Sequence, residues 1–293
     1  MLKGFESYIR LPNPKDQKLT KRLDGIDHQG MPLTTTVVVE RPLTIFLNSQ
    51  EIVTLMTIGD EPEMLAAGFL LNQNMLQLGD KISSIDFDAE LDVVVVRTPR
   101  ETNYEQILKK KTVTSGCAQG TVFGELMDKF DKASLDASAV LRTSWLYSLA
   151  KKINTTPSLY LEAGAIHGCV LCCKNRPLIY MEDVGRHNAI DKIAGYMLLE
   201  SIEPKNKIFY TTGRLTSEMV IKTVQMKIPI LISRSGFTAW GVELARKAGL
   251  TLIGRAKGRR FIALSGLGRI IYDADKGAFQ DETRQSSLNL AGN

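Results

Sequence analysis

The chain has 293 residues, 44% of them hydrophobic, enough for one large core or two smaller ones, with two weakly favoured. Lysine and arginine exceed aspartate and glutamate by 37 − 32 = 5, which suits an anionic ligand but falls short of the dense charge of a nucleic-acid binder. Aromatics are 7%, too sparse for stacking platforms, and no stretch approaches the ~18 unbroken apolar residues of a membrane helix.

The first residues, Met1 to Ser7, lack the apolar core of a signal peptide. Three of the four cysteines crowd at 169, 172 and 173, which is no secreted disulfide framework. A cytoplasmic protein with reduced thiols is expected, with no nucleic-acid partner and no membrane insertion.

Residues 1–30 are polar and broken by Pro12, Pro14, Gly25 and Gly30, and are expected to form a flexible N-terminus. Strand-like runs follow at 34–39, 43–47 and 51–58, then a helix begun by Pro62 with Met64, Leu65, Gly68, Phe69 and Leu71 on its apolar face. A hairpin-like pair, 82–87 and 91–98, leads to Lys109-Lys110-Lys111, a loop around Cys117 and a helix at 121–130. The small, polar stretch 131–138 marks the expected boundary.

Beyond it, helices at 143–153, 187–199, 217–226 and 239–248 alternate with apolar strands at 165–173, 178–181, 208–210, 230–232 and 250–253. Two short strands, 261–264 and 270–272, precede a polar tail. Such alternation implies an α/β fold with a parallel or mixed sheet flanked by helices. The expected division is an N-terminal α+β domain over 31–132 carrying the Cys117 loop near its end, a larger domain over 133–275, and a flexible tail over 276–293.

Polar, glycine-flanked segments recur in the larger half: Glu182 to Asn188, Thr211-Thr212-Gly213-Arg214, and Ser233-Arg234-Ser235-Gly236. Placed between strand ends and helix starts, such loops offer free backbone N–H groups to anions. The basic string Arg255-Ala256-Lys257-Gly258-Arg259-Arg260 follows a buried strand, where open α/β sheets bind ligands. If extended, it projects Arg255, Lys257 and Arg259 from one face; a solvated charge run is the plain alternative. His187 is a proton shuttle or a helix-start residue bonded to a carboxylate.

Cys117, in Thr114-Ser115-Gly116-Cys117-Ala118-Gln119-Gly120, is the one obvious exposed nucleophile, or else an incidental loop thiol. A helix start and nearby lysines would lower its pKa from the usual value near 8.5. Gly120 rules out a local Cys-x-x-Cys disulfide. His167, Cys169, Cys172 and Cys173 invite a zinc reading. All these ligands would come from one seven-residue segment, so buried structural thiols are the expectation, with no structural metal.

Taken together, Glu40-Arg41-Pro42-Leu43, Ala66-Ala67-Gly68-Phe69-Leu70, Ser115-Gly116-Cys117, Glu182-Asp183-Val184-Gly185-Arg186-His187-Asn188-Ala189, Gly213 to Val220 and Gly249 to Gly254 resemble the formate dehydrogenase accessory sulfurtransferase family, the FdhD-type proteins. The resemblance spans most of 34–272. It implies a sulfurtransferase that takes persulfide sulfur from a cysteine desulfurase on Cys117. The recipient is the molybdenum bis(molybdopterin guanine dinucleotide) cofactor of formate dehydrogenase. It also implies a cytidine deaminase-like larger domain without zinc chemistry, a homodimer, and cofactor contacts at Arg255, Ala256, Lys257, Gly258, Arg259 and Arg260.

Many such proteins carry a second loop cysteine where this chain has Gly120, so Cys117 is expected to act alone. The competing expectation is a non-catalytic chaperone that delivers the guanine dinucleotide cofactor. A zinc deaminase would need a glutamate two residues after the histidine, and Cys169 stands there instead.

Overall fold

The computed structural model describes residues 8–100, 111–114 and 117–274, with only the backbone described over 111–126 and at 128. The expected flexible tail and the first seven residues lie outside the described residues. The stretch expected to be irregular up to residue 30 contains β1 (Thr20–Ile26), paired antiparallel with β2 (Pro32–Val38) around the Asp27–Gly30 turn. Asp27 fixes that turn by accepting from Gln29 and Met31 backbone N–H, a local bond that periodicity does not announce.

The first compact unit is a four-stranded sheet in the order β4-β3-β6-β5, built from β3 (Arg41–Leu47), β4 (Gln50–Thr57), β5 (Ser84–Asp88) and β6 (Val93–Arg97). Leu43, Ile45 and Leu47 alternate inward with Val94 and Val96, and α1 (Pro62–Asn72) covers that face with Leu65, Phe69 and Leu70.

The hairpin β7 (Lys111–Thr114) and β8 (Cys117–Val122) comes next and runs into α2 (Phe123–Lys132). Sequence grouped α2 with the first unit, but Phe130 is buried in the larger core and Lys247 holds Asp131 at 2.7 Å.

The larger unit is a six-stranded mixed sheet, order β11-β10-β12-β13-β14-β15. Its strands are β10 (His167–Cys173), β11 (Arg176–Asp183), β12 (Lys207–Thr211), β13 (Ile230–Ser233), β14 (Thr251–Lys257) and β15 (Arg260–Ser265). β12, β13 and β14 are parallel neighbours and the rest pair antiparallel.

Helices cover both faces, which is why these strands read as continuous apolar runs. Phe209, Leu231 and Leu252 point to α5 (Arg186–Leu199), α6 (Ser217–Gln225) and α7 (Ala239–Lys247). Ile208, Tyr210, Ile230 and Ile232 point the other way, to α3 (Thr143–Thr155). A short α4 (Leu159–Ala163) leads into β10, and β9 (Leu141–Arg142) pairs with β16 (Ile270–Ile271).

Candidate functional site

Glu182 and Asp183 close β11, and Arg186 to Asn188 open α5; Glu182 and Asp183 are fully buried. This segment is therefore not the open anion-holding loop that its glycine and charges suggested. It is the joint between the two units. Asp183 accepts from Thr57 Oγ1 (2.5 Å), Asn188 Nδ2 (2.9 Å) and Lys192 Nζ (2.6 Å), and Lys192 also pairs with Asp60 and donates to the Glu182 carbonyl. Burial opposes the Lys192 charge, but Asp183 and Asp60 outweigh it and hold the pKa above the usual lysine value.

A second buried pair lies beside it. Lys222 Nζ reaches Asp191 at 2.7 Å, and Asn72 donates to the same carboxylate at 2.6 Å. Sequence reasoning missed Asp60, Asp191, Lys192 and Lys222. The available signal was a lysine and an aspartate inside a helix otherwise rich in Ile, Ala and Met.

The candidate site lies at the ends of β12, β13 and β14, as the sequence indicated. The loops 212–216 and 234–238 run side by side: Leu215 N–H donates to the Gly236 carbonyl (2.9 Å) and Thr238 N–H to the Leu215 carbonyl (3.1 Å). Two strand-end hydroxyls fasten them. Thr211 Oγ1 accepts from Gly213 N–H (3.1 Å), while Ser233 Oγ donates to the Gly213 carbonyl (2.6 Å) and accepts from Ser235 N–H (2.9 Å). Arg255 N–H joins β14 to this floor through the Ser235 carbonyl at 2.7 Å.

Cationic side chains surround it. Arg214, Arg234 and Arg255 are exposed, and Arg234 is held by the Tyr160 hydroxyl (2.7 Å) and lies over that ring at 4.8 Å. Gly213 lies against the aliphatic part of Arg186, where a Cβ would make tight contacts of 3.0 and 3.1 Å. Thr216, the N-cap of α6, has its Oγ1 buried with no hydrogen-bond partner among the described residues. An unpartnered hydroxyl at a helix start, in a floor whose loops carry exposed arginines, fits an anionic ligand.

Two imidazoles sit behind this floor. Burial lowers the pKa of His167, and Arg186, Arg214 and His187 add to the effect. Burial also lowers that of His187, against the pull of Glu218, whose Oε2 is 3.1 Å from Nε2. His187 is thus the helix-start residue bonded to a carboxylate.

The basic string is not uniformly extended. A bulge between Gly254 and Lys257 puts Arg255 at φ 52, and Gly258 at φ 59 turns the chain so that Lys257 pairs with Arg260. Arg255 is exposed beside Ser235, Ala256 is buried, and Arg259 is half-buried beside Tyr147. Period-two projection of Arg255, Lys257 and Arg259 therefore fails, because two left-handed residues interrupt the pleat.

Cys117 begins β8, its backbone paired with Thr114; its side chain lies outside the described residues. Cys169 and Cys172 are buried on opposite faces of the larger sheet. Burial pushes the Cys169 thiol up to about 12, despite its bond with Thr211, and raises Cys172 further. These are structural thiols.

A mixed sheet covered by helices on both faces, with exposed arginines at the strand-end floor, defines an α/β protein. The chain belongs to the FdhD/NarQ family, whose model matches residues 38–271. It is 29% identical over 244 residues to a Wolinella succinogenes protein named sulfur carrier protein FdhD, covering 82% of this chain and 84% of that one. The Bacillus pumilus protein of the same name is 29% identical over 235 residues, covering 78% of this chain and 87% of that one. A solved structure described as a formate dehydrogenase accessory protein, from Desulfotalea psychrophila, aligns with TM-score 0.69 and 27% identity over 86% of this chain and 98% of that one.

Proposed function

We propose that this protein is a cytoplasmic sulfurtransferase that carries persulfide sulfur on Cys117 and delivers it to the molybdenum bis(molybdopterin guanine dinucleotide) cofactor of formate dehydrogenase. The relatives' names support the sulfur-carrying part of this reading and the accessory role of the solved neighbour supports the recipient. The observation that carries cofactor binding is the floor at the strand ends, where loops 212–216 and 234–238 run side by side and Arg214, Arg234 and Arg255 are exposed. A dinucleotide with diphosphates needs such cations and helix starts.

Loading is a thiol exchange. The Cys117 thiolate attacks the outer sulfur of the cysteine desulfurase persulfide; a new S–S bond forms on Cys117 and the desulfurase thiolate leaves, with no net redox change. With Gly120 where a second cysteine would stand, Cys117 holds the sulfur alone until transfer. The β1–β2 arm exposes Leu23, Ile26, Met31 and Leu33, apolar surface that supports assembly as a homodimer.

Intact mass after incubation with a cysteine desulfurase and cysteine tests the reading. Wild type should gain the mass of one sulfur atom and Cys117→Ala should gain none. An unmodified wild type would favour a chaperone that delivers the cofactor without carrying sulfur. Sulfur persisting in Cys117→Ala would move the carrier to the Cys169 to Cys173 segment.

A further inference from the structure

The end of α6 remote from Thr216 lines a cavity that the strand-end floor does not touch. The cavity has a volume of about 330 Å³ and forms where three segments meet: the end of α1 with the turn after it, the last turn of α2, and the last turn of α6. Its inner wall is apolar, from half-buried Leu71 and from Leu76 and Val224, both buried. It thus spans the seam between the four-stranded unit and the helices of the six-stranded one.

Three features point to a ligand. Gln225 lines the cavity, and both polar atoms of its side chain are buried with no hydrogen-bond partner among the described residues. A buried amide left so costs stability, and a bound group that accepts from Nε2 and donates to Oε1 would remove that cost. Lys129, Lys132 and Lys227, all exposed, line the same cavity, and among the described residues no aspartate or glutamate does. Lys129 also acts on Asp80, which Arg100 already holds at 2.6 Å, so the net charge at the mouth is positive. Lys227 stands just past α6 at φ 57, a helix-end position that glycine takes without steric cost. A lysine there adds a cation to the mouth.

We propose that this cavity binds an N-acylated apolar amino acid, free or as the last residue of a polypeptide. Its carboxylate meets the lysines, its N–H and acyl carbonyl pair with the Gln225 amide, and its side chain packs on Leu76 and Val224. Lysines alone would attract any anion; the amide and the apolar wall restrict the site to an acid that carries both. The site is separate from cofactor binding: Thr216 and Gln225 bound a nine-residue helix, about 14 Å apart at 1.5 Å per residue.

NMR titration of the full-length protein with N-acetyl-leucine, its C-terminal amide and acetyl-tetraalanyl-leucine tests it. Wild type should bind the acid at least tenfold more tightly than the amide. Gln225→Met should weaken the acid at least fivefold, and Lys132→Gln combined with Lys227→Gln at least tenfold. Gln225→Met keeps the length of the side chain and removes an unpartnered amide, so its urea midpoint should match or exceed that of wild type. A lower midpoint would show that the amide has a partner in the free protein, and would overturn the assignment. Equal binding of acid and amide overturns it too, a comparison that needs wild type alone. So does undiminished binding in the variants, or wild type that takes up none of the three probes. Pentapeptide bound at least as tightly as N-acetyl-leucine assigns the cavity to polypeptide ends; the acid bound with the pentapeptide excluded assigns it to small free acids.

Discussion

Gly68 and Gly195 meet where α1 crosses α5, and neither position has room for a methyl group. A Cβ on Gly68 would collide with the Asp191 carbonyl oxygen, and one on Gly195 with the Met64 carbonyl oxygen. Backbone-to-backbone approach at this crossing is what joins the four-stranded unit to the six-stranded one. It also sets Asn72 within 2.6 Å of Asp191 and brings Asp60 to Lys192.

Gly195→Ala should therefore destabilise the protein, although alanine is the better helix former by about 1 kcal/mol. Neither backbone can yield without moving a whole helix, so overpacking of about 1–3 kcal/mol should prevail. The urea midpoint should fall. An unchanged or higher midpoint would mean that the helices part at little cost.

Lys192→Met removes the cation between Asp183 and Asp60 while keeping a side chain of similar length. The buried Asp183 carboxylate and the partly exposed Asp60 carboxylate would then face each other without their partner. Removing one member of a buried pair costs about 3–5 kcal/mol. Chemical denaturation should register a loss of that order, and a neutral result would show that Thr57 and Asn188 suffice to hold Asp183.

Glu182 sets a pH dependence. Burial raises its pKa to about 7 from 4.5, against the backbone N–H groups of Leu159 and Tyr160 that donate to it. The folded state thus holds the proton over a range where the unfolded state has lost it. The stability so contributed is full below about 4.5 and is lost as pH rises to about 7. The change is on the order of 3 kcal/mol at about 1.4 kcal/mol per pKa unit. Unfolding free energy measured from pH 5 to pH 8 should decline in wild type and flatten in Glu182→Gln; parallel curves would remove Glu182 as the source.

Cys169 and Cys172 should resist alkylation in the folded protein. Their thiols are fully buried and their pKa values raised, so little thiolate forms at neutral pH. Iodoacetamide followed by peptide mass analysis should label both only after denaturation. Labelling of the native protein at either position would show that the sheet opens around β10.

Sequence by itself determined the alternating architecture of the larger unit. Helix α5 was legible because Ile190, Ile193, Ala194 and Met197 repeat at helical spacing, and β12 and β13 because their apolar runs are short and end in Thr211 and Ser233. It also pointed to the strand-end floor, since glycine and hydroxyl residues between a strand and a helix have a local physical meaning. Three things were decided only in three dimensions. The Glu182 to Asn188 segment reads as a polar loop, yet its charges are buried because their partners, Thr57 and Asp60, stand more than a hundred residues away in the chain. The string from Arg255 to Arg260 reads as one basic run, yet a bulge and a left-handed glycine send its arginines to two different places. Leu76, Lys132 and Gln225 carry no signal in one dimension, because a cavity wall assembled from separate elements exists only after α1, α2 and α6 have packed. Periodicity records which face of an element is buried; it does not record what that face meets.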